Sequence, residues 1–263
     1  MKRLLFAGLL GLMAACAHQA KVENPIQPLE AADFWRDQTA RRAFLGSFSG
    51  KLKMGYEGKK QSISGKGRIV GNYPQSFRLE LRDPIGRLHY VLVQKGSAVV
   101  AYFPRNKQAG RENASGRTYF KRVLGTGIAF NDIVAIAPGI LPPKWEKAKF
   151  TSWEWDKEQG AFRGVLEQGG EKATVWVDSA NTAIQSLVMD MAGETVEAEF
   201  GDREPCCETP GGFHLGYEAK LKLPKQQTAV AVTWDTLSKP TQEIPPTAFE
   251  FTPAQGDKVS DLK

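Results

Sequence analysis

The chain has 263 residues, with 35 Lys and Arg against 29 Asp and Glu, a formal charge of +6. That mild surplus suits a surface near acidic phospholipid, and no basic run carries the interleaved aromatics that would argue for nucleic acid. The length is generous for one domain, and 26 glycines and 15 prolines fit a turn-rich, all-β unit.

Lys2 and Arg3 precede an apolar run from Leu4 to Ala15. The run falls short of the ~20 residues that a membrane-spanning helix needs, so residues 1–15 read as a signal peptide. It ends in Leu12-Met13-Ala14-Ala15-Cys16. This sequence resembles the lipobox of bacterial lipoproteins, with Met13 where that pattern usually has Leu. The resemblance implies cleavage before Cys16 and covalent N-acyl and S-diacylglycerol groups on it. Three acyl chains hold a membrane almost permanently. Ala17 follows the cysteine. Some bacteria place a retention aspartate there, and its absence implies a lipid-anchored protein on the periplasmic face of the outer membrane. Loss of the leader removes Lys2 and Arg3 and no acid, taking +6 to +4.

Residues 16–28 carry two prolines and read as a flexible tether, leaving one domain over residues 29–263. Leu29 to Leu45 predicts a helix, with Ala32, Trp35, Thr39, Arg42 and Ala43 at helical steps. Phe34, Trp35, Phe44 and Leu45 give it an apolar side for packing across one end of a sheet. Strands follow at Ser47–Tyr56 and Gln61–Gly71. Gly65 and Gly67 in the second predict curvature or close approach of another backbone.

The central hairpin spans Ser76 to Val93. Phe77, Leu79 and Leu81 alternate with Arg78, Glu80 and Arg82, the period of a strand with one dry face. Asp83-Pro84-Ile85-Gly86 turns the chain, and Leu88 to Val93 returns. Ile85 stands at the tip, where a polar residue is cheaper to solvate. It either tucks back onto its hairpin or is held out to touch a membrane or an acyl chain.

Ala98–Phe103 continues the meander. Thr118–Leu124 and Asn131–Ala137 then predict two short apolar helices, with Asn131 as an N-cap and Pro138-Gly139 as a stop. Short apolar helices inside a β-meander must cover something. Strands resume at Lys149–Trp155, Phe162–Glu167, Ala173–Val177, Ile184–Met191, Thr195–Phe200, Tyr217–Leu223 and Thr228–Leu237, with an extended tail near Phe249–Phe251 and Pro253–Val259. About a dozen strands with a helical insertion predict a sheet curled around a cavity, with the helices as a lid.

No catalytic constellation is present. Gly-x-Ser-x-Gly is absent, and His89 has no acid or nucleophile partner in sequence. Cys206, Cys207 and His214 lack zinc spacing, so neither a metal nor another cofactor is expected beyond the acyl groups on Cys16. Adjacent cysteines form only a strained ring, which makes an internal disulfide unusual.

The Phe-Arg-Leu-Glu-Leu strand, Asp83-Pro84-Ile85-Gly86 and the segment Phe130-Asn131-Asp132-Ile133-Val134-Ala135-Ile136-Ala137-Pro138-Gly139 are similar to the LolA/LolB-like superfamily, and to its LolB-like outer-membrane receptors in particular. The likeness covers about residues 44–141. It implies a mainly β fold: a half-open antiparallel β-barrel with a short helical lid and an N-terminal helix. It implies an apolar cavity for acyl chains, which we assign to Phe77, Leu79, Leu81, Val91, Val93, Ile133 and Ile136. It makes Ile85 the membrane-contact residue, Cys16 the anchor, and a periplasmic LolA-like carrier of acylated lipoproteins the partner. The chain is longer than a typical receptor of this kind, and the loop at 204–212 is unfamiliar. A carrier of free lipid and a tethered envelope scaffold with a filled core are the alternatives. An envelope hydrolase lacks a site.

Overall fold

The computed structural model describes residues 28–58, 61–123, 125, 127–191, 193–205 and 214–261. The leader, Cys16, most of the tether, Thr126 in the interhelical joint, and Cys206 and Cys207 lie outside the described residues.

The chain opens with α1 (Ala31–Leu45) and five antiparallel strands. These are β1 (Phe48–Gly58), β2 (Gln61–Asn72), β3 (Ser76–Arg82), β4 (Leu88–Lys95) and β5 (Ala98–Phe103). Then come β6 (Gln108–Glu112), α2 (Arg117–Val123) and α3 (Phe130–Ile136). A second meander follows: β7 (Lys149–Asp156), β8 (Ala161–Gln168), β9 (Glu171–Val177), β10 (Ile184–Met191), β11 (Glu194–Pro205), β12 (His214–Leu223) and β13 (Thr228–Ser238). The tail ends in β14 (Lys258–Asp261).

One 14-stranded sheet holds them in the order β14-β6-β5-β4-β3-β2-β1-β13-β12-β11-β10-β9-β8-β7. The meanders join where β1 pairs with β13, from Ser49↔Ser238 to Glu57↔Ala229. All pairs are antiparallel except β14 on β6. The edge strands β7 and β14 do not pair with each other, so the barrel stays half open. This is the expected fold class. The sequence pattern missed β6, because Gln-Ala-Gly-Arg-Glu has no β-branched or aromatic residue.

In an antiparallel sheet, successive turns alternate between two ends. The β1–β2, β3–β4, β5–β6 and β12–β13 turns share one end, the mouth. The β2–β3 and β9–β10 turns share the other, the floor. Glycine in β2 allows tight curvature: a Cβ on Gly67 would lie 2.7 Å from Leu81 Cδ2 and 3.1 Å from Leu52 Cδ1.

Helix α1 seals the floor. Leu45 O accepts the Tyr73 N–H of the β2–β3 turn at 3.1 Å. Its inward face is Phe34, Gln38, Arg41, Phe44 and Leu45, whereas Ala32, Thr39 and Ala43 are exposed. Two polar residues therefore face the core, against the simple apolar-side expectation. Both are hydrogen-bonded there. Gln38 Oε1 accepts the Leu141 N–H at 3.0 Å. Arg41 donates to His214 O at 2.9 Å, and to Asn181 O and Thr182 Oγ1 at 3.0 Å each. Burial pulls the Arg41 guanidinium down to about 10, and Asp37 counters part of that.

Helix α3 begins at Phe130, with Ala129 at the cap and no side-chain cap bond, so Asn131 is not the N-cap. Packing sets the start. Phe130 is buried edge-on to Phe77 at 5.6 Å, and its N–H reaches Ser115 O at 2.9 Å. Helix α2 has its cap from outside: Glu112 Oε2 accepts the Tyr119 N–H, an orphan donor of the first turn, at 3.0 Å.

Candidate functional site

Between the mouth-end halves of β1, β3, β4, β5 and β13 and the two short helices lies a cavity of about 140 Å³. The sheet contributes Met54, Tyr56, Leu79, Leu81, His89, Tyr90, Leu92, Phe103 and Val230. The helices contribute Tyr119, Phe120, Phe130 and Ile133, so α2 and α3 cover it as a lid. The lid rings pack on each other and on the wall. Phe120 stands 5.4 Å from Tyr119 and 5.9 Å from Phe130, and Tyr119 stacks on Tyr90 at 6.4 Å. The hydroxyls of Tyr90 and Tyr119 influence each other's titration. Burial pushes the Tyr90 hydroxyl well above its ordinary value and the Tyr119 hydroxyl up to about 12, so both stay neutral.

Of the seven residues assigned to this lining, the structure places Leu79, Leu81 and Ile133 on the wall. Phe77 sits one layer deeper, between Phe48, Tyr73 and Phe130. Ile136 is fully buried in the core behind the lid. Val91 and Val93 lie on the opposite face and are a correction. The β3–β4 register shifts between Leu81 and Arg82, where Arg82 faces Leu88 but Leu81 faces Tyr90. His89 is the extra residue of this bulge. Without it, Leu81, Leu79 and Phe77 would face His89, Val91 and Val93. With it they face Tyr90, Leu92 and Gln94. Val91 and Val93 share the outer face with Glu80 and Arg78, and are buried beneath the C-terminal segment. Arg78 Nη1 donates to Ala248 O at 3.4 Å and Glu250 O at 3.3 Å, while Phe251 packs on Tyr102 at 5.0 Å.

Tyr90 and Leu92 were thus legible only to a reader who knew of the bulge. Tyr56 and Met54 carry the alternation of β1. Tyr119 and Phe120 lie within the predicted apolar helix but were not assigned to the lining. The bulged His89 lines the cavity, and its Nδ1 is buried without a hydrogen-bond partner.

The turn before β4 projects from the mouth. Ile85 is 71% exposed, the largest value among the exposed large hydrophobic residues. Asp83 shapes the turn: its Oδ1 accepts the N–H groups of Ile85 at 3.1 Å and Arg87 at 2.9 Å. Gly86 takes φ +84°, which a side chain rarely adopts. Arg87 Nε and Arg105 Nη2 bind Asp83 Oδ2 at 2.9 and 3.2 Å. Burial pushes the Asp83 carboxyl up, but the Arg87 N–H and guanidinium and the Ile85 N–H more than offset it, and it sits below its ordinary value.

Behind the lid, Asn131 and Asp132 of α3 face a polar recess shared with Arg117, Lys144 and Glu171. Lys144 pairs with Glu171. Burial pushes the Asp132 carboxyl above its ordinary value, with Arg117 and Lys144 opposing. Among the described residues, no group of three His, Cys, Asp or Glu is placed to hold a metal ion. No described helix is long and apolar enough to cross a membrane.

No family model matches the sequence, and no curated protein matches it. Solved structures do match. One is a domain described as an outer membrane lipoprotein-sorting protein from Vibrio parahaemolyticus, at TM-score 0.55 and 14% identity, covering 82% of this chain and 94% of that one. Another is a LolA superfamily protein from Nitrosomonas europaea, at 0.55 and 11%, covering 85% and 99%. A third is a DUF1329 family protein from Desulfovibrio piger, at 0.55 and 12%, covering 83% and 95%. At these identities the likeness speaks to architecture alone. On its sheet order, its helical cover and these neighbours, the chain has a LolA/LolB-like fold.

Proposed function

We propose that the chain takes acyl chains of lipoproteins into the mouth cavity and passes them to the outer membrane, to which Cys16 tethers it. The observation that carries the reading is one of placement: the apolar cavity and the exposed Ile85 share the mouth end of the barrel. Neither the uptake nor the handover needs bond chemistry. Each methylene taken from water contributes about 0.8 kcal/mol, so burial of part of an acyl chain gives useful affinity. A LolA-like periplasmic carrier would deliver the lipoprotein, Ile85 would meet the membrane, and a gradient of affinity would drive the handover.

The cavity volume sets a condition. At about 140 Å³ it is close to the size of an engineered apolar cavity that holds one benzene. Three chains need more room, so α2 and α3 must swing outward for a triacylated cargo. The same number favours a second reading, a carrier of a single-chain free lipid that fits with less movement. The test mixes the chain from residue 16 on, carrying Cys16→Ala, with a loaded LolA-like carrier. Transfer of an acylated lipoprotein, but not of its unacylated form, supports the receptor. Single-chain lipid found by mass spectrometry, without transfer, supports the free-lipid reading. If there is neither transfer nor bound lipid, a tethered scaffold is what remains.

A further inference from the structure

Three guanidiniums are fastened around Ile85. Arg82 Nη1 donates to Gly86 O at 3.0 Å, while Arg87 and Arg105 share Asp83 Oδ2 at 2.9 and 3.2 Å. Their side chains remain 50%, 61% and 55% exposed, whereas Asp83 is 12% exposed. Glu80 serves Arg78 at 2.8 Å and stands 3.9 Å from Arg82. Two carboxylates, Asp83 and Glu80, therefore stand among four guanidiniums, those of Arg78, Arg82, Arg87 and Arg105, an excess of two positive charges.

We propose that this turn docks on an anionic phospholipid surface, with Ile85 in the acyl region and Arg82, Arg87 and Arg105 on the headgroup phosphates. The proposal rests on the membrane-facing reading of Ile85 and adds the lipid class. A guanidinium presents a planar fork that matches phosphate oxygens, and each of these three keeps donors free for it. A protein partner needs a broad patch with an apolar centre. Here one isoleucine stands among charges, and among the described residues the other exposed large hydrophobics, Val188 and Val259, lie on β10 and β14. A bilayer accepts a single wedge anywhere on its surface. Insertion of one side chain is marginal alone, and a second, electrostatic signal makes it selective. Lys107, exposed on the neighbouring β5–β6 turn, adds to the same field.

The experiment is vesicle cosedimentation of the chain from residue 16 on with Cys16→Ala, which keeps every described element. Phosphatidylcholine vesicles are compared with vesicles that also contain phosphatidylglycerol, at low and raised salt. Preference for the anionic vesicles, lost at raised salt, is expected of the otherwise unaltered protein, so no turn variant is needed for this arm. Arg87→Gln and Arg105→Gln should each weaken anionic partition about fivefold, with Arg87→Lys retaining most of it. Ile85→Glu should weaken binding to both vesicles. Equal binding to both vesicle types overturns the anionic assignment, and a loss with Ile85→Glu would then leave the membrane-facing reading standing. Binding to neither vesicle overturns both. Arginine variants that spare vesicle binding but abolish binding to an acidic carrier protein would reassign the cations to a protein contact.

Discussion

The floor and the mouth of this barrel are built from the same strands yet held by different forces. At the floor, α1 reaches across the sheet with Gln38 and Arg41, each buried and bonded to backbone groups of distant segments. At the mouth, α2 and α3 are bonded to the chain at their first turns, by Glu112 and Ser115, but cover the cavity through rings and aliphatic side chains around a small void. Directional bonds fix one geometry, and breaking one leaves a buried orphan. Apolar contacts tolerate sliding at lower cost. The contrast assigns rigidity to the end that is sealed and compliance to the end that, under the proposed function, admits a ligand.

The largest expected effect breaks the floor. Arg41→Ala leaves His214 O, Asn181 O and Thr182 Oγ1 without this donor and opens a void. It should cost about 3 kcal/mol in denaturant unfolding. An unchanged midpoint would remove the argument for a rigid floor. At the mouth, Leu79→Trp fills the cavity. A fluorescent acyl probe should bind at least ~10-fold more weakly, while stability changes by no more than about 1–3 kcal/mol. Val93→Ala, on the opposite face, should destabilise by about 1 kcal/mol and leave probe binding as it was. Equal effects of the two on the probe would erase the distinction between the faces.

The smallest effects are pH-dependent and opposite in sign at two carboxyls. Asp132 has its folded value raised, so its charged form penalises the fold above that value, and the penalty is relieved as pH falls through it. Asp132→Asn should therefore stabilise most near neutrality, with its advantage shrinking in acid. Asp83 has its folded value lowered. Its contribution to the Ile85 turn is present above the ordinary carboxylate range and is lost as pH falls through the lowered value. Proton exchange at the Ile85 and Arg87 amides, compared with Asp83→Ala across pH, would show whether the turn loosens in that direction.

Local pattern alone carried much of this molecule. The alternation in Phe77, Leu79 and Leu81 marked β3. The turn chemistry of Asp83-Pro84-Ile85-Gly86 placed Ile85 at a tip, and the short apolar runs before Pro138 marked both lid helices. These signals depend on neighbours a few residues away, so a sequence contains them whole. Which way a strand faces depends on its partner. One bulge at His89 exchanged Val91 and Val93 for Tyr90 and Leu92 on the cavity wall. The polar residues on the inner face of α1 are stable only because loops far away in the chain supply acceptors. The pairing of β6 with β14 rests mainly on backbone groups, with Ser260 Oγ also donating to Ala109 O. Periodicity is a property of a segment. Register, burial and the closing of a cavity are properties of pairs of segments, and only the tertiary structure decided them.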